Sequence, residues 1–190
     1  MVEAIHLSHT PEALTLYVSC YTNVTNASYL REQLIAANQD FNYAFIDASV
    51  ILSRKHLLTA CFRALNDYVH DRLRSNNVQS EIVFCLSPNN NIGEAFRRFG
   101  IADGSRNLIA IKVGDRDDVT AESVERHLQG AVQGDEVRFD DQWLAETCDV
   151  SRVRKVYKVP DETKGKAVKE DMRNRLEAQV LGLMCLRGAT

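Results

Sequence analysis

The chain reads as an α/β protein, a single domain over residues 1–190 in which helices pack on a mixed β-sheet and a long amphipathic helix at about 166–187 closes the sequence. Three observations predict this. Apolar, β-branched runs such as "LTLYVSCY" and "NLIAIKV" have the length and composition of strands. Between them lie windows whose apolar residues recur at three-to-four spacing, the mark of amphipathic helices. Finally, 190 residues with 45% apolar and 26% charged side chains suffice for one core and do not demand two.

In chain order, Glu3–Leu7 and Leu14–Tyr21 read as two strands joined through the turn residues Thr10 and Pro11, a plausible hairpin. Asn26 to Ala37 places Leu30, Leu34 and Ile35 on one helical face, with Asn26 or Ser28 available as cap. "YAFIDASVIL" is ambiguous between strand and loop. Ser53 to Leu73 is the longest early helix, with Leu57, Leu58, Cys61, Leu65, Tyr68, Val69 and Leu73 on its stripe and Ser53 before its first turn. "EIVFCLS" is a nearly continuous apolar run of strand length, as for a strand covered on both sides, and "NLIAIKV" (Asn107–Val113) is its twin. Thr120–Gln129, the "FDDQWLAETCD" segment capped by Asp140, and the "VSRVRKVYKV" segment introduced by Asp149 and stopped by Pro160 read as shorter helices. The closing helix carries Val168, Met172, Leu176, Val180, Leu183 and Met184 on one side.

Composition narrows the function classes. The five cysteines are odd in number, scattered and never in a C-x-x-C pair, which disfavours a disulfide framework or a zinc site and suits a reducing compartment, cytosol or nucleus. The N-terminal stretch mixes acids and histidines into its apolar residues, unlike a signal peptide or membrane span. Net charge is −3 but uneven: residues 1–113 hold 10 basic and 10 acidic side chains, 114–149 hold 3 and 11, and 150–190 hold 10 and 5. An acidic stretch followed by a basic tail points to faces that meet one another or to a polyanion.

"SPNNNIGEAFRRFGI", Ser87–Ile101, is the most distinctive stretch. With Asn91 as cap and Glu94 three residues on, it approximates a capping box. Ile92, Ala95, Phe96 and Phe99 then form one apolar face. Gly100 is placed for a left-handed stop with Ile101 against Phe96, and Arg97 and Arg98 complement the helix dipole in the last turn. No glycine-rich phosphate loop is present, and Gly93 stands alone. Helices this short need tertiary packing, so the two phenylalanines either both enter the core or leave one at a patch that receives a partner.

The surrounding stretch Ser80–Val113 resembles the TPRKB family, the PRPK-kinase-binding subunits of the KEOPS (EKC) complex, through the motif S-P-N-N-N-I-x-E-A-x-x-x-F-G-I followed by a strand. "NVTNASYLREQL", the helix around His56 and "DVSRVRKVYKV" match in the same order, whereas the acidic "GDRDDVTAESVERHLQGAVQGDEVRF" is longer than in short relatives and "SRKHL" is closer to archaeal versions. The resemblance implies a mixed α/β fold without catalysis, cofactor or metal. It implies docking on the N-terminal lobe of the PRPK-type kinase/ATPase, within a complex that makes threonylcarbamoyladenosine (t6A) in tRNA. It also implies residence in nucleus and cytoplasm, with a link to telomere maintenance and telomeric chromatin from fungal members and a hold on the tRNA 3′ end from archaeal ones.

On this reading the kinase-binding candidates are Asn89, Asn90, Asn91, Ile92, Ala95, Phe96, Phe99, Gly100 and Ile101. The RNA-binding candidates are Arg54, Lys55, His56, Arg97 and Arg98, since phosphate contacts need clustered cations, with Tyr43, Phe45 or Tyr157 as stacking planes. The alternative is a free-standing module for the tRNA 3′ end or single-stranded RNA. No catalytic constellation is legible. His6 and His9 lack companion ligands, Cys61 and Cys85 lie in apolar runs, and the Asp115, Asp117, Asp118 triplet lacks the glycine and glutamate of a calcium loop.

Overall fold

The computed structural model describes residues 1–116, 118–160 and 169–187, with backbone alone at 169–171. Five strands, β1 (Glu3–Ile5), β2 (Thr15–Thr22), β3 (Ala44–Asp47), β4 (Leu108–Gly114) and β5 (Asp135–Val137), form one sheet in the order β1-β2-β4-β3, with β5 also paired to β2. Every pairing is antiparallel. β1 lies against Leu16–Val18 and β5 against Cys20–Thr22, so the two short strands share one edge of β2 end to end. β1 and β2 make the hairpin expected from the sequence, with β1 ending at Ile5.

Eight helices cover the sheet among the described residues: α1 (Ala27–Ile35), α2 (Arg54–Val69), α3 (Val78–Cys85), α4 (Ile92–Phe99), α5 (Ala121–Ala131), α6 (Asp141–Thr147), α7 (Val150–Tyr157) and α8 (Lys169–Cys185). Strand alternation sorts the core into two layers. Ile109, Ile111 and Val113 of β4, with Leu16, Val18 and Cys20 of β2, face α2, α3, α6, α7 and α8. Leu108 and Ala110, with Tyr21 and Phe45, face α1 and α5.

Two expectations are corrected here. "EIVFCLS" forms most of α3 and not a strand. The Asn77 carboxamide accepts from the Ser80 N–H at 2.8 Å to cap it, and Val78, Gln79 and Glu81–Cys85 are all buried. A helix enclosed on every side has no polar face, so its apolar run has the same signature as a central strand. With that strand gone, the sheet is antiparallel throughout and not mixed, while the α/β class stands. Second, α1 keeps Leu30 inside but turns Ile35 out at 69% exposure. Asn26 precedes α1 without capping it: its side chain donates to the Ala131 carbonyl at 2.8 Å and accepts from the Gln133 N–H at 3.0 Å, stitching α1 to the end of α5.

The C-terminal helix folds back on the core. Leu176, Val180 and Met184 are buried against α2, and Arg63 of α2 donates to the carbonyls of Met184 and Arg187. Arg187 in turn stacks on Phe84, 3.9 Å from the ring centroid, and donates to the Phe84 and Ser87 carbonyls at the end of α3. Each arginine thus meets the negative end of a helix dipole. Lys166 and Val168, expected in this helix, lie outside the described residues, as does Asp117.

Candidate docking site

α4 has eight residues, too few to persist in water alone, so its place is set by its ends. At the N-terminus the Asn91 side-chain oxygen accepts from the Glu94 N–H at 2.9 Å. The Glu94 carboxylate does not return to Asn91, so only half of the capping box forms. It accepts instead from the Asn89 amide at 2.7 Å and from Arg98. At the C-terminus Arg98 donates to the Val156 carbonyl at 2.9 Å, and Arg152 of α7 donates to the Arg98 carbonyl at 3.2 Å. The same Arg152 guanidinium donates to the Asp47 carboxylate at 3.0 Å and to the Ser49 hydroxyl at 2.8 Å, tying α4, α7 and the end of β3 together.

Gly100 does not adopt a left-handed conformation. Its backbone is extended (φ −68°, ψ 165°) because it has joined the sheet edge, bridging to Ile46, while Ile101 N–H donates to the Phe45 carbonyl at 3.0 Å. Glycine is required by proximity: a Cβ there would lie 2.6 Å from the Phe96 carbonyl oxygen.

These clamps fix the rotation of α4 and split its apolar face. Ala95 and Phe99 are fully buried, Phe99 packing edge-on to Tyr157 at 5.8 Å. Ile92 and Phe96 each stay 36% exposed. Of the nine expected docking residues, Asn90, Asn91, Ile92 and Phe96 are at the surface and Asn89 is half-buried; Ala95, Phe99, Gly100 and Ile101 are interior and hold the others in place. Phe99 therefore serves packing, not contact.

Beside α4 runs a groove of about 700 Å³, walled on the far side by α1 and the short helical turn Gln39–Phe41. Phe96, Ile35, Leu34 and Phe41 line it with Tyr43, Phe45 and Ile101 deeper, and Arg31, Arg97 and Asp103 are among its polar residues. The α1 side of this groove was missed from the sequence. Its one available signal was that Ile35 sits at the far edge of the Leu30–Leu34 stripe.

The structure disperses the RNA candidates. Arg54 is bound to Glu3 at 2.7 Å and to the Phe139 carbonyl, and that pairing holds the Glu3 carboxyl below its ordinary range. His56 is wholly buried. Its Nδ1 accepts from the Leu52 N–H at 3.2 Å, which leaves Nε2–H to donate to the Tyr157 hydroxyl at 2.8 Å, and that hydroxyl donates on to the Leu86 carbonyl. Burial drives the His56 pKa down to about 3, so it is a neutral core group and not a phosphate contact. Tyr157 is buried with it. Tyr43 and Phe45 stack on each other at 5.3 Å, and Tyr43 also stacks on His127 at 5.5 Å, so their faces are occupied. Lys55 and Arg97 remain at the surface on different helices. Burial pushes the Cys85 thiol up to about 12 and Cys148 to about 11, far from thiolate chemistry at neutral pH.

A helix clamped at both ends, with half of its apolar face turned outward beside a groove, makes this an α/β protein with an open apolar surface. Residues 21–188 match the family described as kinase binding protein CGI-121, and the chain belongs to that family. Over its whole length it is 49% identical to a protein of Aspergillus terreus and 48% identical to one of Aspergillus fumigatus, each covered to 98%, both named EKC/KEOPS complex subunit cgi121. A Schizosaccharomyces pombe protein of the same name is 33% identical over 91% of this chain and 93% of its own length.

Proposed function

We propose that this protein is a non-catalytic subunit of an EKC/KEOPS complex that binds the PRPK-type kinase/ATPase through Ile92 and Phe96 of α4, and in that role supports t6A modification of tRNA. The observation that carries the reading is the division of one short helix. Ala95 and Phe99 anchor it in the core, while Ile92 and Phe96, one turn apart, keep over a third of their surface. Apolar pairs of this kind, held on a preorganised backbone, are what a protein interface uses as anchors. Membership in a kinase-binding family and the names of its relatives support the choice of partner. Residence in nucleus and cytoplasm, and a role at telomeres, go with that assembly as part of the same proposal.

The test is co-purification with the kinase. Phe96→Glu and Ile92→Glu should each abolish it while leaving the far-ultraviolet spectrum and the unfolding midpoint close to the parent's, because both side chains are already at the surface. Retained co-purification would reject the site. Direct contact with tRNA is the weaker reading, since Arg54 and Arg98 are engaged inside the protein and His56 is buried. It rests on Lys55 and Arg97, and a tRNA titration in which Lys55→Glu with Arg97→Glu leaves both affinity and salt slope unchanged would remove it.

A further inference from the structure

Charge around the groove is not balanced. At its α1 end Arg31 pairs with Asp103 at 3.1 Å, and that end is neutral. At its α4 end Arg97 is 77% exposed and, among the described residues, pairs only with the Glu94 carboxylate at 3.9 Å, which Arg98 already occupies. Arg74, next to the asparagine loop, gives its backbone N–H to the Glu81 carboxylate at 3.0 Å, while its guanidinium donates at 3.3 Å to the neutral Asn90 side-chain oxygen and pairs with no carboxylate among the described residues. Two weakly compensated guanidinium groups, Arg74 held by a neutral amide and Arg97 sharing one carboxylate with Arg98, therefore lie on the asparagine loop and the helix that carry the exposed Ile92 and Phe96.

We propose that the element received here is a short stretch of the kinase carrying an apolar anchor and, beside it, carboxylates that meet Arg74 and Arg97; this rests on α4 being the docking site. Complementary potential of this kind sets register and speeds encounter more than it adds affinity. Guanidinium forks match carboxylates well. A pocket of about 700 Å³ takes a few side chains and not a whole helix, which fits an anchor residue with its neighbours. An RNA strand fits less well: the groove's inner aromatic rings are already stacked on protein groups, and single strands bind by stacking on open planes.

The experiment is calorimetric titration of the purified PRPK-type kinase into the parent, into Arg74→Gln/Arg97→Gln and into Phe96→Ser, at low and high salt. The parent is expected to lose roughly tenfold in affinity as salt rises, and the arginine variant to start roughly tenfold weaker at low salt and to change little. Phe96→Ser is expected to lose about thirtyfold or more at both ionic strengths. In a second arm Arg97→Lys, treated with a carbodiimide that joins amines to carboxylates without a spacer, should couple to an aspartate or glutamate of the kinase, identified by mass spectrometry. If the arginine variant matches the parent in affinity and salt dependence while Phe96→Ser fails, the acidic stretch is rejected and the docking site stands. If Phe96→Ser also binds normally, the docking site itself is rejected. Loss of tRNA retention with kinase binding intact would assign the two arginines to RNA and overturn the proposal.

Discussion

α3 and α4 are consecutive helices of equal length, eight residues each and both capped by asparagine, yet the fold treats them in opposite ways. All but one residue of α3 is buried, between the sheet, α2 and α4. In α4 only Ala95 and Phe99 are. The difference teaches how enclosure on every side and enclosure on one side leave different patterns in helices of the same length. α3 is enclosed on nearly every side, its polar Gln79 and Glu81 included, because almost every direction from its axis is protein. α4 has a strongly one-sided pattern, and its stripe is wider than the core can accept.

The widest test of this contrast compares phenylalanines. Phe84→Ala in α3 and Phe99→Ala in α4 should each cost about 3–5 kcal/mol of unfolding free energy, whereas Phe96→Ala should cost under about 1 kcal/mol. Denaturant titrations of the three variants check it, and equal losses at Phe96 and Phe99 would erase the division of α4.

Acid should expose the α3 side selectively. The His56 imidazole supports Tyr157, which holds the Leu86 carbonyl just after α3. Its folded-state pKa of about 3 lies below the ordinary value near 6.5, so the unfolded chain binds a proton that the folded chain refuses. Its contribution to stability is complete above about pH 6.5 and drains away as pH falls toward 3, by up to about 1.4 kcal/mol per pH unit. Unfolding curves from pH 7 to pH 4 should show this slope in the parent and a shallower one in His56→Gln.

Gly100→Ala should cost about 1–3 kcal/mol, because the added methyl meets the Phe96 carbonyl and must push α4 off the β3 edge. Kinase affinity should drop with it. The smallest effect separates the two caps: Asn77→Ala and Asn91→Ala should each cost about 1 kcal/mol, the first read in global unfolding and the second mainly as faster amide hydrogen exchange within α4.

Much of this architecture was legible in advance for local reasons. Ser53, Asn91, Thr120, Asp140 and Asp149 each accept from a backbone N–H of the helix they precede, and a cap is a contact between near neighbours in the chain. α2, α4 and α5–α7 could therefore be placed from spacing and caps. α3 could not, because burial on every side removes the periodicity that tells a helix from a strand. The groove was half legible: the α4 wall stood out as a motif, while the α1 wall depends on Ile35 turning outward across a distance no local pattern records.

What the order of amino acids determined by itself was the short-range content: where helices start, which stripes are apolar, and the α4 motif. Tertiary structure alone decided that Phe99 goes in while Phe96 stays out, that His56 is neutral and buried, and that Arg152 and Arg98 lock α4 to α7. The physical reason is that exposure, desolvation and long-range hydrogen bonds are properties of what surrounds a residue once the chain has closed, and residues 47, 98 and 152 become neighbours only then.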